Sequence, residues 1–588
     1  GGYDSSNYDS ATNGVSVDLA AGVVSGGTWG TDTLLHVEGI RGTDYDDTFD
    51  SRGFGSQSTN AGSLGTFNLF APDGGNDVVF GNGNTTVSYV NSWIGVKVDL
   101  AVGADALNLV DKSNANYAVS LGKDTFMGGV NAATGSLQND WLVGTDTNDP
   151  LSAETFEGEA GNDTLVGNGG MDWASYADSP SGISVDLRKS ANQVSDGWGG
   201  SDSLQGIEGI RGSYADDVMR GSDALTVNEV FKGMQGADSM DGGQGFNIAS
   251  FVQDVQGVTV WLAADSRSVA PGVGVADKVK PGFTGVALDG WGDIDQLANI
   301  DGVEGSLFND LIVGNADSNH LDGRKGNDTL DGGAGFDWAE FNNAEGGVTV
   351  NLATQSASDG DGGTDRLLSI EGVLGSLQND QISGDGLANI LDGNGGNDTL
   401  DGAGGDDVLK GQDGSDLLIS GMGRDYLLGG NGTDTLKLTP SGTWSGSYWA
   451  QNDFLVAASV QTAAHKKVSL AGLNRFETVS NGGADYDTLE LTSGSDALAL
   501  DDVLTQMNSD AVAELGRVVN IELINAGDGN DIVDLSSARY TSTGIKVDGG
   551  AGNDVLWGGE VWLTGSVRND WTPCGLKGLG FGINLKSG

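Results

Sequence analysis

The sequence predicts an all-β chain wound as a solenoid, and two kinds of repeat predict it. Between Gly393 and Lys437, five consecutive nine-residue blocks each open on a glycine-rich half that closes on an aspartate: Asp398, Asp407, Asp416, Asp425 and Asp434. Glycine reaches left-handed backbone conformations at little cost, so this half is a turn. The other half, Thr399-Leu400-Asp401 in the first block, places one leucine between more polar neighbours. That is enough for a very short strand with one buried face. Nine residues cannot bury that face alone, so blocks must stack, and a turn-strand-turn-strand coil of two blocks repeats every eighteen residues.

The second repeat is larger, about 75–90 residues, and is marked by five alternating strands: Val15-Ser16-Val17-Asp18-Leu19, then Val96 to Leu100, Ile183 to Leu187, Val258 to Leu262 and Val348 to Leu352. Period-two alternation puts the apolar residues on one face. Asp18, Asp99 and Asp186 give way to Trp261 and Asn351 at the same position, which marks it as surface. A glycine-rich loop of variable length follows, then D-x-L-x-x-(I/V)-(E/D)-G, as in Asp202 to Gly209 and Asp365 to Gly372, with a degenerate copy at Asp124. Each unit closes with a turn such as Gly375 to Asp380 and a nonapeptide pair.

Winding at eighteen residues stacks Asp398, Asp416 and Asp434 on one edge and Asp407 and Asp425 on the other. Carboxylates at strand spacing repel, and a hard cation with oxygen ligands resolves the repulsion. Carboxylates plus backbone carbonyls suit calcium better than zinc, whose usual cysteine and histidine ligands are missing from the blocks. The turn glycines Gly393, Gly396, Gly404, Gly405, Gly411, Gly414 and Gly432 are the candidate carbonyl donors. The spacing G-G-x-G-x-D-x-U-x resembles the RTX, or haemolysin-type, calcium-binding repeat. The resemblance implies a parallel β-roll with calcium between successive turns. Further candidate carboxylates are Asp163 with Asp172, Asp328 with Asp337, Asp531 and Asp554. Asp238 is followed by Asn247, whose amide still offers one neutral oxygen, and Asp77 by Thr86, where loss of charge predicts weaker binding or none.

The expected organisation is a degenerate solenoid over 1–392, the regular roll over 393–437, a divergent segment over 438–525 with a short helix near Asp502 to Leu515, restored blocks over 526–557, and a tail over 558–588 of unassigned role. Gly2 to Tyr8 aligns with Gly335 to Phe341 without the glycines that precede it, so the chain reads as starting inside a repeat. Trp444, Tyr448 and Trp449 cluster in the divergent segment, where filling a wider core outweighs a sugar-stacking platform.

Composition bounds the function. The chain has 588 residues, of which 100 are glycine, and carries 28 Lys and Arg against 83 Asp and Glu, a net charge of −55. Such charge argues against nucleic-acid binding and anionic membrane surfaces, and favours disorder until counter-ions bind. One cysteine, Cys574, leaves no internal disulfide, so metal replaces sulfur as the staple. No apolar run of transmembrane length and no signal peptide is predicted. The resemblance implies type I secretion instead. His36, His320 and His465 form no H-E-x-x-H motif, and G-x-S-x-G is absent, so no enzyme is expected. The sequence therefore predicts a secreted, cell-surface-associated structural or adhesive bacterial segment that folds on extracellular calcium, with surface polysaccharide or copies of itself as candidate partners. The alternatives are an export-and-folding module for an upstream toxin or hydrolase domain, and a polysaccharide-modifying enzyme.

Overall fold

The computed structural model describes residues 2–564, apart from 27–29, 101–104, 109–121, 147–152, 264–268, 271–272, 275–278, 441, 444–446, 452–453, 458–465, 470–472, 477–478, 500–517, 536–542, 553 and 558–559. No helix occurs among the described residues. The chain divides into two compact units, Gly1–Ser306 and Leu307–Gly588. Each is wound mainly from short strands of two to six residues stacked in parallel, as the blocks require.

The regular blocks in the second unit give the rule. On one face, Gln381–Ser383, Thr399–Asp401, Leu417–Ile419 and Thr435–Lys437 pair in parallel, aligning Ile382, Leu400, Leu418 and Leu436. On the other, Gly372–Leu374, Ile390–Asp392, Val408–Asp413 and Tyr426–Asn431 align Val373, Leu391, Leu409 and Leu427. Partners such as Leu400 and Leu418 lie eighteen residues apart, so one coil consists of two blocks. All eight of these apolar side chains are fully buried. The core is thus two ladders of one residue per block, each rung packed by its neighbours along the stack and by the facing ladder.

The first unit obeys the same rule with larger, aromatic rungs. Phe49 pairs with Val79 on one face, and Ile40 with Phe70 on the other. The Phe49 and Phe70 rings meet across the core at 5.0 Å. The five alternating strands bury their apolar positions as expected, among them Val15, Val17, Leu19, Val348, Val350 and Leu352.

The glycine-rich loops that follow those strands are not loops throughout. Val194–Ser195 pairs antiparallel with both Ser184–Asp186 and Ser201–Gln205. Ser356–Ser358 does the same between Thr349–Asn351 and Thr364–Leu368. Each larger unit therefore inserts an antiparallel excursion into a parallel winding. The segment 438–525 rejoins the stack at Val479–Ala484, on Tyr426–Asn431, and at Thr488–Glu490, on Thr435–Lys437. The helix expected near 502–515 and Trp444 lie outside the described residues. Tyr448 and Trp449 fall on the strand Ser447–Gln451, which pairs antiparallel with Phe454–Ala457 and Lys466–Ser469.

Because each ladder rung touches few others, truncating one should be felt fully. Leu418→Ala is expected to cost about 2–5 kcal/mol in urea unfolding at saturating calcium; a loss below about 1 kcal/mol would mean the rung is not part of the core.

Candidate metal sites

The turns between strands carry the candidate ligands. Fourth-position glycines stack on one another: Gly414 lies on Gly396 and Gly432 on Gly414. A Cβ at Gly414 would fall 1.6 Å from the Gly396 carbonyl oxygen, and one at Gly432 1.7 Å from that of Gly414. Their φ values of +152° and +121° independently exclude most side chains. Gly405 repeats this on the other edge, with φ at +123°. First-position glycines leave room for the carboxylate instead, since a Cβ at Gly393 or Gly411 would lie 2.3 Å from Oδ2 of Asp398 or Asp416. Gly404 is bridged to Met422 of the next coil.

The aspartates form the two expected columns. Asp398 N–H donates to Asp416 Oδ1 at 2.8 Å, and Asp416 N–H to Asp434 Oδ1 at 2.9 Å. On the other edge Asp407 N–H donates to Asp425 Oδ1 at 3.1 Å. The remaining candidates repeat the bond: Asp163 accepts from Asp140, Asp172 from Glu154, Asp238 from Asp217, Asp328 from Asp310, Asp337 from Asn319, Asp531 from Asp496, Asp554 from Asp531 and Asp77 from Asp47. In every one of these aspartates, those of the five blocks included, the other oxygen, Oδ2, is buried and has no hydrogen-bond partner. A buried carboxylate with one oxygen unpaired is costly, and an oxygen-seeking cation removes the cost.

The electrostatics agree. Burial, with repulsion from Asp380 and Asp416, pushes Asp398 up to about 7. Burial, then repulsion from Asp407, does the same to Asp425. Asp77 reaches about 10 through burial and the charge of Asp124.

Not every column aspartate has a free oxygen, and the difference is informative. Asp380 accepts from Val348 N–H and Ser376 O–H on Oδ1 and from Ser376 N–H on Oδ2, all at 2.6–2.7 Å. Asp47, Asp140 and Asp217 are capped in the same way by Thr43, Ser136 and Ser213 with Val15, Val96 and Ile183. These turn aspartates satisfy themselves; the nonapeptide aspartates do not.

Sequence reasoning missed several column members. Asp124, in the degenerate copy, accepts from Asp77 N–H at 3.0 Å and from the Tyr89 hydroxyl at 2.7 Å. Glu208 and Glu371 accept from the N–H groups of Asp172 and Asp337; the (E/D)-G signature held that signal. Asp487 accepts from Asp434. One expectation is corrected: the residue at the aspartate position after Asp77 is Thr85, not Thr86, because the block is a residue short. Thr85 is fully buried and accepts the Asn82 N–H, while Val87 fills the ladder. Asn247 does occupy its expected place, donating its N–H to Asp301.

The family model for the RTX calcium-binding nonapeptide repeat matches residues 151–174, 228–249, 304–339, 374–409, 401–436 and 546–560. This chain carries RTX repeats. RTX repeats bind calcium ions and are typical of secreted bacterial proteins. The five regular aspartates, with Asp163, Asp172, Asp238, Asp328, Asp337 and Asp554, lie within matched stretches, whereas Asp77 and Asp531 lie outside them. No curated protein matches the chain. Among the described residues no helix is long and apolar enough to cross a membrane.

Two outcomes follow for the RTX columns. Asp416→Ala removes the acceptor for the Asp398 amide and leaves that of Asp407 intact. Amide exchange at Asp398 should therefore accelerate at least tenfold more than at Asp407, and equal acceleration would contradict the eighteen-residue coil. The second concerns pH. Carboxylates raised in the metal-free fold keep protons that the unfolded chain has released above its ordinary 3.8, so that fold is most stable below about pH 4 and loses stability as pH rises towards 7. Metal-free protein should show more strand circular dichroism at about pH 5 than at about pH 8, and the calcium midpoint should move to higher concentration on acidification; pH-independent titrations would refute both.

Proposed function

We propose that this chain is a calcium-folded structural or adhesive segment of a secreted, cell-surface-associated bacterial RTX protein, without catalytic activity of its own. The observation that carries the folding part is the unpartnered Oδ2 repeated down both columns. At low calcium these oxygens oppose winding through burial and mutual repulsion; at extracellular calcium each gap gains a ligand and winding becomes favourable. Metal binding is then folding free energy, with dissociation constants of about 10⁻⁴–10⁻³ M typical of extracellular modules.

The adhesive part is supported by what the closing turns present outward. Their sequences differ, yet each exposes a large apolar side chain: Tyr45, Leu137, Tyr214, Leu307 with Phe308, and Leu377. A turn capped through Ser or Thr at its second residue and through aspartate at its sixth is rigid, so the apolar residue between is held out at little entropic cost. Repeated contacts of this kind suit multivalent attachment to surface polysaccharide or to further copies of the chain.

Calcium titration of the metal-free chain tests both parts. Far-ultraviolet circular dichroism should develop strand signal at about 0.1–1 mM calcium, and the folded chain should then self-associate or be retained on surface polysaccharide. An unchanged spectrum up to several millimolar would end the folding reading. A folded chain that does neither would end the adhesive one.

A further inference from the structure

Exposed aromatic rings gather on one edge of the first compact unit, at the junctions between its larger repeats. Asp202, Asp295 and Asp365 accept the N–H groups of Asp163, Asp238 and Asp328, so the excursion loops that precede them lie on the edge of those nonapeptide turns. Beside the loop before Asp202 comes the turn that enters Ser184–Asp186, and beside that the closing turn before Val218. The contacts are close. A Cβ at Gly197 would fall 2.2 Å from the Ser181 carbonyl oxygen, and one at Gly182 2.0 Å from that of Asp216. Three turns therefore stand side by side, and with the strand start beyond them they present Trp198, Tyr214 and Val218, each 42–51% exposed.

The junction one repeat earlier has the same build with other residues. The turn before Val96 packs on the closing turn before Trp141, where a Cβ at Gly95 would fall 2.0 Å from the Asn139 carbonyl oxygen. Trp93, Leu137 and Trp141 are 43–48% exposed at this place. Lys97 pairs in register with Trp141 and sets its ammonium 5.0 Å from the indole ring. From Trp141–Val143 to Val218–Arg220 the sheet passes through Thr164–Val166, Ser201–Gln205, Val194–Ser195 and Ser184–Asp186, a distance of about 24 Å at strand spacing.

The turns do not need these rings. Asp196 Oδ1 accepts from the N–H groups of Trp198, Gly199 and Gly200, and Asp359 holds the equivalent loop of the second unit through Asp361 and Gly363. Aspartate thus stands at 361 where tryptophan stands at 198, with the same loop around it. That junction is ionic instead, since Lys325 Nζ reaches Glu345 Oε1 at 2.6 Å and Asp361 Oδ1 at 3.4 Å. The closing turn at Tyr214 is likewise fixed by Ser213 and Asp217 rather than by the ring between them. Rings that the fold does not use, exposed in clusters on a rigid support, mark a contact surface.

Charge selects the partner. At −55 the chain repels a polyanion, and it repels a second copy of itself for the same reason. Calcium in the columns offsets buried carboxylates and leaves exposed ones on this edge, such as Asp178 and Asp216, charged. The rings are flanked by exposed hydrogen-bonding groups, Ser181 and Asp216 at one junction and Gln138 and Asn139 at the other. Flat aromatic faces beside such groups suit a ligand with apolar C–H faces and a rim of hydroxyls, which is an uncharged sugar ring.

We propose that the two junctions, at Trp93 with Trp141 and at Trp198 with Tyr214, are stacking platforms for a neutral polysaccharide. Each platform takes the apolar face of a sugar residue, and the flanking groups bond its hydroxyls. Two platforms on one chain let a long glycan engage both, so affinity exceeds that of either alone. The assignment rests on the adhesive reading and narrows it, to neutral glycan rather than surface polysaccharide at large or a second copy.

Native affinity electrophoresis of the full chain at millimolar calcium tests it, with mixed-linkage β-glucan, dextran or galactomannan in the gel and alginate as the polyanion. At least one neutral glycan should retard the chain. Trp93→Ala/Trp141→Ala/Trp198→Ala/Tyr214→Ala should weaken that retardation about tenfold, with the calcium transition in circular dichroism unchanged. Should the fourfold variant fail to fold, Trp198→Asp decides, since aspartate already occupies the equivalent loop, and it should weaken retardation about twofold. Retardation by alginate alone, by no glycan, or to the same extent in the variants overturns the proposal. A chain that binds no glycan but self-associates loses this assignment and keeps the adhesive reading; a chain that does neither loses both.

Discussion

The bond from one aspartate's N–H to the carboxylate of the aspartate one coil away is the interaction on which the rest of the structure depends. It fixes the spacing of the coils at the turn, where no apolar contact could. It also uses up one carboxylate oxygen and leaves the other enclosed. Asp398, Asp416 and Asp434 are thereby held in register by the same groups whose charges oppose that register. A fold built this way has its strongest positional restraint and its largest electrostatic cost in one column. The leucine ladders supply hydrophobic stabilisation, but each rung is a single residue, too little to offset stacked charges by itself. A cation acting on the free oxygens converts the cost into cohesion.

The glycines follow from that geometry. With coils so close at the turns, a carbonyl of one coil occupies the space a side chain would need in the next, as at Gly396 beneath Gly414. Glycine content is therefore a measure of turn-to-turn contact rather than of flexibility. The single cysteine and the acidic composition fit the same constraint, since a chain stapled at its turns by oxygen ligands has no use for disulfides there.

Much of this was legible in the sequence because the period is carried by residues with one physical role each. Leucine at every second half-block and aspartate at every turn fixed the eighteen-residue coil and both columns. The antiparallel excursions were not legible: Val194–Ser195 and Ser356–Ser358 are too short for alternation to register, and their glycine-rich flanks read as loop. Asp202, Asp295 and Asp365 were read as strand signatures, since D-x-L fits a strand as well as a turn that enters one. Thr85 was misplaced by counting nine from Asp77 across a shortened block; the buried Val87 reveals the true register.

The two classes of column aspartate explain how a solenoid of such charge can be interrupted without unravelling. Asp380 and its counterparts Asp47, Asp140 and Asp217 sit where a larger unit closes, and there Ser or Thr supplies the donors that the nonapeptides lack. Burial still raises Asp217 to about 6, with the Ile183 and Ser213 donors working against it. Such an aspartate holds its place in the column without asking for an ion. A unit can therefore end on a turn whose aspartate is satisfied by the protein's own hydrogen bonds, while the nonapeptide pairs between such ends keep a carboxylate oxygen for a cation to satisfy. The unpartnered carboxylate oxygens are in this way distributed in segments, each bounded by turns whose aspartates have their donors within the protein.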